Sequence, residues 1–151
     1  MINDSIKVTG ALDVKVFDAN GNVKHDFHVK NTVMDVGKIF IASRMAGTSS
    51  AVMSHMAIGT DNTSASANTD DTTLGAETSL MTRSAVTTTP SGATIQYVAE
   101  FGTHTGVDIA VAEAGIFNAS TGGVMLCRTN FGVITKTADD TMTITWTITI
   151  A

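Results

Sequence analysis

The sequence has little cysteine, proline, aromatic residue or charge. Of its 151 residues one is cysteine, one is proline and 15% are charged. A single cysteine, Cys127, cannot form an internal disulfide, and its strand-like surroundings in VMLCRTNF favour a buried small hydrophobe over a reactive thiol. Because hydrophobic residues reach 43%, the low charge predicts a folded domain with an unusually neutral surface rather than a disordered chain.

A basic face and a long apolar run are also missing. The net charge is −5 and the nine lysines and arginines are spread along the chain, which excludes the basic face that binds nucleic acid. No apolar run approaches the roughly 20 residues of a membrane span. The first residues, MINDSIKV, lack the basic and apolar regions of a signal peptide, so we expect synthesis in a cytoplasm and no membrane partner.

Alternation of apolar and polar residues is the dominant pattern of the sequence, and TMTITWTITI is its clearest case. In this segment Trp146 and its isoleucine neighbours share one face, while five threonines share the other. ATIQYVAEF repeats the pattern, with Ile95 and Tyr97 predicted to point inward. Both segments predict half-buried strands, and the alternation elsewhere gives about eight strands in total.

One segment, NTVMDVGKIFIASRMAG, breaks the alternation and predicts a helix at about 33–45. Its apolar stripe consists of Val33, Val36, Phe40, Ile41 and Met45. Thr32 and Asp35 form a capping pair, and Gly47 provides a stop. The interior Gly37 costs about 1 kcal/mol relative to alanine, so we expect a close approach between helix and sheet at that position.

These elements predict a mostly β fold, a β-sandwich or jelly-roll with one helix near residues 33–45. The whole chain, 1–151, forms a single domain with a short N-terminal arm at 1–7 and a long polar loop at 60–73. The only proline, Pro90, lies in TTTPSG and is interpreted as part of a turn.

Metal-binding patterns are weak in this sequence. The four histidines are His25, His28, His55 and His104. His25 and His28 fall on opposite faces of a strand and cannot share a metal without a bulge. The polar loop offers oxygen ligands of the kind that calcium takes, at Asp61, Asn62, Asp70 and Asp71. Their spacing matches no EF-hand, so a solvated loop is favoured and calcium binding stays open as an alternative.

Glu113 is the carboxylate that the alternation predicts to be buried, on a face with Val111 and Phe117. A buried carboxylate needs a partner, and Arg83 and Arg128 are the candidates. A perturbed catalytic acid and a structural ion pair are both compatible with this position. We favour the ion pair, because the sequence shows no second catalytic group, nucleophile motif or phosphate-binding loop. No catalytic, cofactor-binding or metal-binding residue is therefore predicted.

Four segments in order carry a resemblance to a known group of proteins. They are KNTVMDVGKIFIASRM, MAIGTDNTSASANTDDTTLGAET, EAGIFNASTGGVMLCRTNFGVITK and DDTMTITWTITI. Each is short, but their order and spacing over most of 30–150 resemble small virion structural proteins of tailed bacteriophages. Within that group the chain is most similar to capsid decoration, or cement, proteins.

The resemblance implies a protein without catalysis that binds the outer capsid surface and bridges neighbouring capsomers. Its expected partners are the major capsid protein, or another virion protein, and itself as a dimer or trimer. Similar sequences also occur as tail, baseplate or fibre-attachment modules. A receptor- or carbohydrate-binding β-sandwich, with Trp146 and Tyr97 as aromatic platforms, is the alternative from a different class. The low charge and the many threonines suit polar contact surfaces that do not attract packaged DNA.

The arm 1–7 and the loop 60–73 are expected to touch other chains. Neither stretch has enough apolar side chains to be held by its own domain. A contact that orders them must offset about 1 to 2 kcal/mol of backbone entropy per residue.

Overall fold

The computed structural model describes residues 4–48, 50–63 and 68–151. Within this part the chain forms ten strands and one helix. In chain order they are β1 (Val8–Phe17), β2 (Val23–Lys30), β3 (Thr32–Val33), α1 (Asp35–Met45), β4 (His55–Gly59), β5 (Ser84–Ala85), β6 (Thr87–Ser91), β7 (Thr94–Phe101), β8 (Ile109–Phe117), β9 (Met125–Lys136) and β10 (Thr141–Ile150). The helix lacks the length and apolar character needed to cross a membrane, and it is the only one among these residues.

The strands form two five-stranded sheets. Sheet A has the order β2-β1-β10-β7-β6 and sheet B the order β3-β9-β8-β4-β5. Every pair of neighbouring strands is antiparallel. The prediction of a mostly β, sandwich-like fold with one helix is confirmed, whereas a jelly-roll connectivity is not.

The alternation in β10 decides the core. Met142, Ile144, Trp146 and Ile148 are buried, and the threonines between them are half-exposed. Trp146 is fully buried and its Nε1 donates a hydrogen bond to Asn31 Oδ1 at 2.8 Å. Tyr97, its cross-strand neighbour, is also buried. Neither ring is therefore exposed as an aromatic platform, which removes the surface on which the carbohydrate-binding alternative depended.

The helix begins later than the sequence predicts. Thr32 and Val33 form the short strand β3, paired with Arg128 and Cys127, so Thr32 cannot cap the helix. Met34 occupies the cap position without a side-chain hydrogen bond, and its backbone N–H donates to Leu126 O at 3.1 Å. Pairing with the sheet has overridden the capping signal, because Thr32 and Val33 are held in extended backbone by β9 and the helix can begin only after them. The first helical N–H, that of Asp35, donates to the Thr69 carbonyl at 2.7 Å.

The packed face of α1 matches the prediction only in part. Phe40 and Ile41 are half-buried against the main core, but Met45, predicted to close the stripe, is 79% exposed. Gly37 is buried, and a Cβ at this position would overlap the carbonyl of Leu126. The expected close approach of helix and sheet is confirmed at Gly37.

Pro90 lies in β6, not in a turn. β6 is an edge strand of sheet A and pairs only with β7, where Pro90 stands opposite Ile95. Proline is tolerated at a sheet edge because its missing N–H would face away from the ladder.

The N-terminal arm and the polar loop are described in part. Lys7 exchanges backbone hydrogen bonds with Ala151, so the arm joins sheet A before β1 begins. Residues 1–3 of the arm and 64–67 of the loop lie outside the described residues.

Candidate functional site

A buried arginine anchors the polar loop to sheet B. Arg128, on β9, is 3% exposed. Its Nε and Nη2 donate to Glu113 Oε2 at 2.9 and 2.7 Å, and its Nη2 also reaches Asp61 Oδ2 at 3.2 Å. Its Nη1 donates to Asp71 Oδ2. Since Asp61 and Asp71 stand near the two ends of the loop, one guanidinium fixes both ends to the sheet. We call these four side chains the Arg128 clamp.

Glu113 extends the anchoring to the backbone after the loop. Its carboxylate is fully buried, and its two oxygens accept hydrogen bonds from the N–H groups of Ala76 at 2.7 Å and Gly75 at 3.0 Å. Gly59 lies against the same carboxylate, where a Cβ would overlap Glu113 Oε1. A glycine at the end of β4 therefore makes room for the buried carboxylate.

Asp61 is held by its own turn as well as by the arginine. Its Oδ1 accepts hydrogen bonds from the Thr63 N–H at 2.9 Å and the Thr63 hydroxyl at 2.6 Å. Asn130 on β9 donates through Nδ2 to the Asp61 carbonyl at 2.8 Å. The hydrogen bonds from Thr63, and after them the charge of Arg128, hold the pKa of the Asp61 carboxyl below its ordinary value. The carboxylate form is thus favoured in the folded state.

The carboxylates of the clamp keep Arg128 ionised although it is buried. Burial alone would lower the pKa of Arg128, but its bonds to Glu113 and Asp71 outweigh burial and raise it. Three carboxylates surround one guanidinium, so the cluster is acidic overall when all four groups are ionised. Within the described residues no three His, Cys, Asp or Glu side chains are placed to hold a metal ion. Two of the four loop residues considered as calcium ligands, Asp61 and Asp71, form ion pairs with Arg128.

The prediction that Glu113 forms an internal ion pair is confirmed, with Arg128 as the partner. Arg83 pairs instead with Glu77, through two hydrogen bonds of 2.8 and 2.9 Å, and its guanidinium lies 3.7 Å from the ring centre of Phe117. Sequence reasoning did not predict that Asp61 and Asp71 would join this pair. No pattern in the sequence indicates this, because both aspartates lie far from Arg128 in the chain and only the fold brings them together.

The face assignment of β8 needs a correction. The alternation placed Glu113 on the same face as Val111, but the register with β9 shifts between these two residues. Val111 belongs to the main core, and beyond the shift the core-facing residues are Ala114 and Ile116. The core-facing positions thus change from odd to even numbers. As a result, Glu113 points to the opposite face of sheet B, towards the loop.

The histidines and the cysteine lie outside this cluster. His25 is half-buried, whereas His28 is exposed and its Nδ1 lies 2.8 Å from Asp13 Oδ1, so the two rings lie on different faces as predicted. His55 Nδ1 lies 2.8 Å from Ser54 Oγ. Cys127 is fully buried, and burial holds the pKa of its thiol well above the ordinary value. An unreactive core thiol is the consequence.

A second charged cluster, which the sequence did not predict, lies at the turn between β9 and β10. Lys136 is fully buried; its Nζ donates to the Asp140 carbonyl at 2.7 Å and lies 3.1 Å from His104 Nδ1. The Asp140 carboxylate accepts from Lys24 Nζ at 2.7 Å and from the Thr137 N–H at 2.8 Å. Burial lowers the pKa of Lys136. These contacts satisfy the turn internally and close this end of the sandwich.

The outer face of sheet A is polar. Five threonines of β10 line it at alternate positions, from Thr141 to Thr149. Thr9 on β1 and Thr94 on β7 stand on either side of Thr149. The chain therefore carries two polar surfaces on opposite sides of the sandwich, the anchored loop on sheet B and the threonine face on sheet A.

Comparison of the chain with protein-family models, curated proteins and solved structures found no match.

Proposed function

We propose that the chain is a non-enzymatic structural protein of a tailed-bacteriophage virion, a decoration or cement protein on the outer capsid surface. It is made in the bacterial host cytoplasm, binds the major capsid protein and bridges neighbouring capsomers. The resemblance in sequence motivates this proposal. The structural observation that supports it is the polar loop fixed to sheet B by the Arg128 clamp.

An anchored loop is a suitable binding surface because its shape is set before a partner arrives. Ordering a free loop on binding would cost about 1 to 2 kcal/mol per residue, and preorganisation avoids that cost. The described part of the loop is held by its own domain, through Asp61, Asp71 and Glu113. The reason for expecting a second chain to order it was therefore wrong. The loop instead offers a preformed surface to a partner.

A bridging protein also needs two separate contact surfaces. The threonine face of sheet A lies on the side of the sandwich opposite the loop, and the threonines of its central strand stand opposite polar and charged side chains such as Asp13 and Lys15. Such a surface makes hydrogen bonds and mixed polar contacts without a large apolar patch that would cause aggregation. The low content of basic residues, nine in all, suits a surface next to a shell filled with nucleic acid.

Binding to empty shells tests the loop surface with a matched pair of variants. Asp70 lies in the loop, and Asp139 lies in the β9–β10 turn; both are exposed. Asp70→Arg should reduce co-sedimentation with shells that lack the protein by at least about tenfold, since a reversed charge at a contact is strongly unfavourable. Asp139→Arg makes the same change outside the proposed surface and should bind as the parent does. Equal binding by both variants would contradict a role for the loop.

Deletion of residues 62–70 tests the same surface in the particle. The deletion keeps Asp61 and Asp71, so all three carboxylates of the clamp remain. Particles should lose the protein and become more sensitive to heat. Full occupancy with unchanged heat resistance would mean that the loop is a passive connection.

Placement on the particle is decided by a label. Micrographs of particles labelled through the C-terminus should show the label over the shell. A label on the tail, baseplate or fibre would replace the capsid proposal with one of those modules. Binding of isolated protein to host cells or glycans, with none to particles, would favour the receptor- or carbohydrate-binding alternative.

A further inference from the structure

An apolar groove opens at the end of the sandwich opposite Lys136. Its volume is about 450 Å³, and it lies between the inner face of sheet A and α1. Its lining is mostly apolar and includes Val8, Met45, Val52 and Ile150, together with Arg44. Arg44 is the charged residue among them. The size is in the range of protein binding pockets, about 300 to 1,000 Å³.

The groove leaves apolar side chains in contact with water. Met45, Val52 and Ile150 are 79%, 59% and 39% exposed. Large exposed apolar residues gathered around one opening mark an interaction site more often than isolated ones do. Covering them would recover about 25 cal/mol for each Å² of apolar surface removed from water.

The N-terminal arm leaves the domain at the rim of this groove. Val8 lines the groove, and Lys7 is tied by backbone hydrogen bonds to Ala151. Ile6, two residues before Val8, is 72% exposed and is not a lining residue of its own groove. Asp4 follows two residues further out and is also exposed. The arm thus presents an isoleucine and a carboxylate beside a groove that has an apolar interior and an arginine.

We infer that this groove receives residues 4–6 of a second copy of the chain. Ile6 of one copy fills the apolar groove of the other, and the Asp4 carboxylate pairs with the Arg44 guanidinium. Among the described residues, Arg44 donates one N–H to the Ser50 carbonyl, at 2.7 Å, and a guanidinium has five N–H donors. Donors therefore remain for a carboxylate.

A two-fold dimer follows from where these parts lie. Because arm and groove share one end of the molecule, a single two-fold axis at that end makes the contact twice. The two contacts act together, since forming one raises the effective concentration for the other. This inference deepens the homo-oligomer part of the proposed function. Experiments on the purified chain test the dimer, whereas binding to shells tests the virion role. The dimer inference and the proposed function can therefore fail separately.

Sedimentation of the purified chain tests the apolar contact. The parent should be a dimer, and Ile6→Asp should raise its dissociation constant by at least about tenfold, as loss of a central apolar contact does. Val107 is a matched control, because it is 71% exposed and lies before β8, away from the groove. Val107→Asp should leave the dimer unchanged. A monomeric parent, or equal effects of the two variants, would overturn the inference.

Charge exchange tests the ionic contact. Asp4→Arg alone and Arg44→Asp alone should each weaken the dimer, and the double variant should recover most of the parent affinity. Both positions are exposed, so the fold should survive each change. A double variant as weak as the sum of the two single changes would show that the residues do not meet.

Disulfide capture identifies which chain supplies the arm. Differently tagged chains carrying Ile6→Cys and Val52→Cys are mixed under mild oxidation and should form a disulfide between the two tags. Cys127 is buried and should not react. Val107→Cys in place of Ile6→Cys should give none. If the mixture gives no heterodimer, while a chain with both cysteines closes on itself as a monomer, the arm fills its own groove and the inference is wrong.

Discussion

At the scale of single residues, Arg128 shows how a buried charge is compensated by its neighbours. Three carboxylates accept its hydrogen bonds, and the most deeply buried of them, Glu113, also receives two backbone N–H groups. A buried ion pair adds little stability compared with a well-packed apolar contact in its place, because the cost of removing both charges from water offsets their attraction. Breaking such a pair is costly, since the remaining charge has no compensation. The clamp thus sets the position of the loop more than it adds to total stability.

Arg128→Met should lower the free energy of unfolding by about 3 kcal/mol or more, because it leaves Glu113 buried without its cationic partner. Urea unfolding measures this loss. Lys38→Met is the matched control, since Lys38 forms an exposed ion pair with Asp35 at 2.9 Å. Such a pair contributes at most about 1 kcal/mol. Similar losses for the two variants would contradict the role given to the clamp.

At the scale of elements, contact between helix and sheet decides which residues α1 can use. Gly37 lies where a Cβ would overlap the backbone of Leu126, and backbone cannot move aside as a flexible side chain can. Helix propensity disfavours this glycine, but packing requires it. The same contact fixes the start of the helix, because Met34 donates to the Leu126 carbonyl just before α1.

The variant Gly37→Ala separates helix propensity from the packing of α1 against the sheet. Propensity alone predicts that it stabilises the chain by about 1 kcal/mol. We expect destabilisation instead, because the added methyl group pushes α1 away from β9. Ala42→Gly, at an exposed position of the same helix, should cost about 1 kcal/mol through propensity. Thermal unfolding of both variants is the measurement, and a higher melting temperature for Gly37→Ala would refute the close approach.

At the scale of the whole molecule, the two ends of the sandwich differ. The end with the β9–β10 turn is closed by Lys136 and Asp140, while the other end carries the apolar groove and both described chain termini. The two faces differ as well, with the anchored loop on sheet B and the threonine face on sheet A. The molecule thus presents chemically different surfaces in different directions.

The stability of the whole molecule in acid depends on carboxylates in several parts of the fold. Hydrogen bonds from Thr63 hold the pKa of Asp61 below its ordinary value. Burial opposes the same shift at Asp140, but hydrogen bonds from Lys24 and Thr137 outweigh burial and lower its pKa too. A carboxyl whose pKa is lowered by folding stabilises the protein above its unfolded pKa, about 3.9, and this contribution is lost as the pH falls through the folded value.

Unfolding free energy should therefore be flat from about pH 7 to 5 and fall below about pH 4. Asp140→Asn should be less stable than the parent at pH 7 and should lose less on acidification. Urea titrations at a series of pH values measure both effects. Asp139→Asn, which removes an exposed carboxylate in the same turn, should follow the parent curve. A parent that becomes more stable below pH 4 would contradict the sign of the shifts.

The sequence by itself determined the fold class and most of the core. Alternation in β10 placed Trp146 inside, and the same period predicted the inward residues of β7. It also predicted the buried Glu113 with an arginine partner and the close approach at Gly37. The core positions follow from local periods, the arginine partner follows from the rule that a buried charge needs compensation, and the approach at Gly37 follows from the cost of a glycine inside a helix. The period nevertheless assigned Glu113 to the wrong face of β8.

Only the tertiary structure decided the rest. The helix starts at Asp35 because β3 pairs with β9, and the β8 register shift turns Glu113 towards the loop. Asp61 and Asp71 look like ordinary loop residues until both ends of the loop meet Arg128. Each of these features depends on contacts between residues far apart in the chain. A period of two or of 3.6 residues carries no information about such contacts, because it describes one segment at a time.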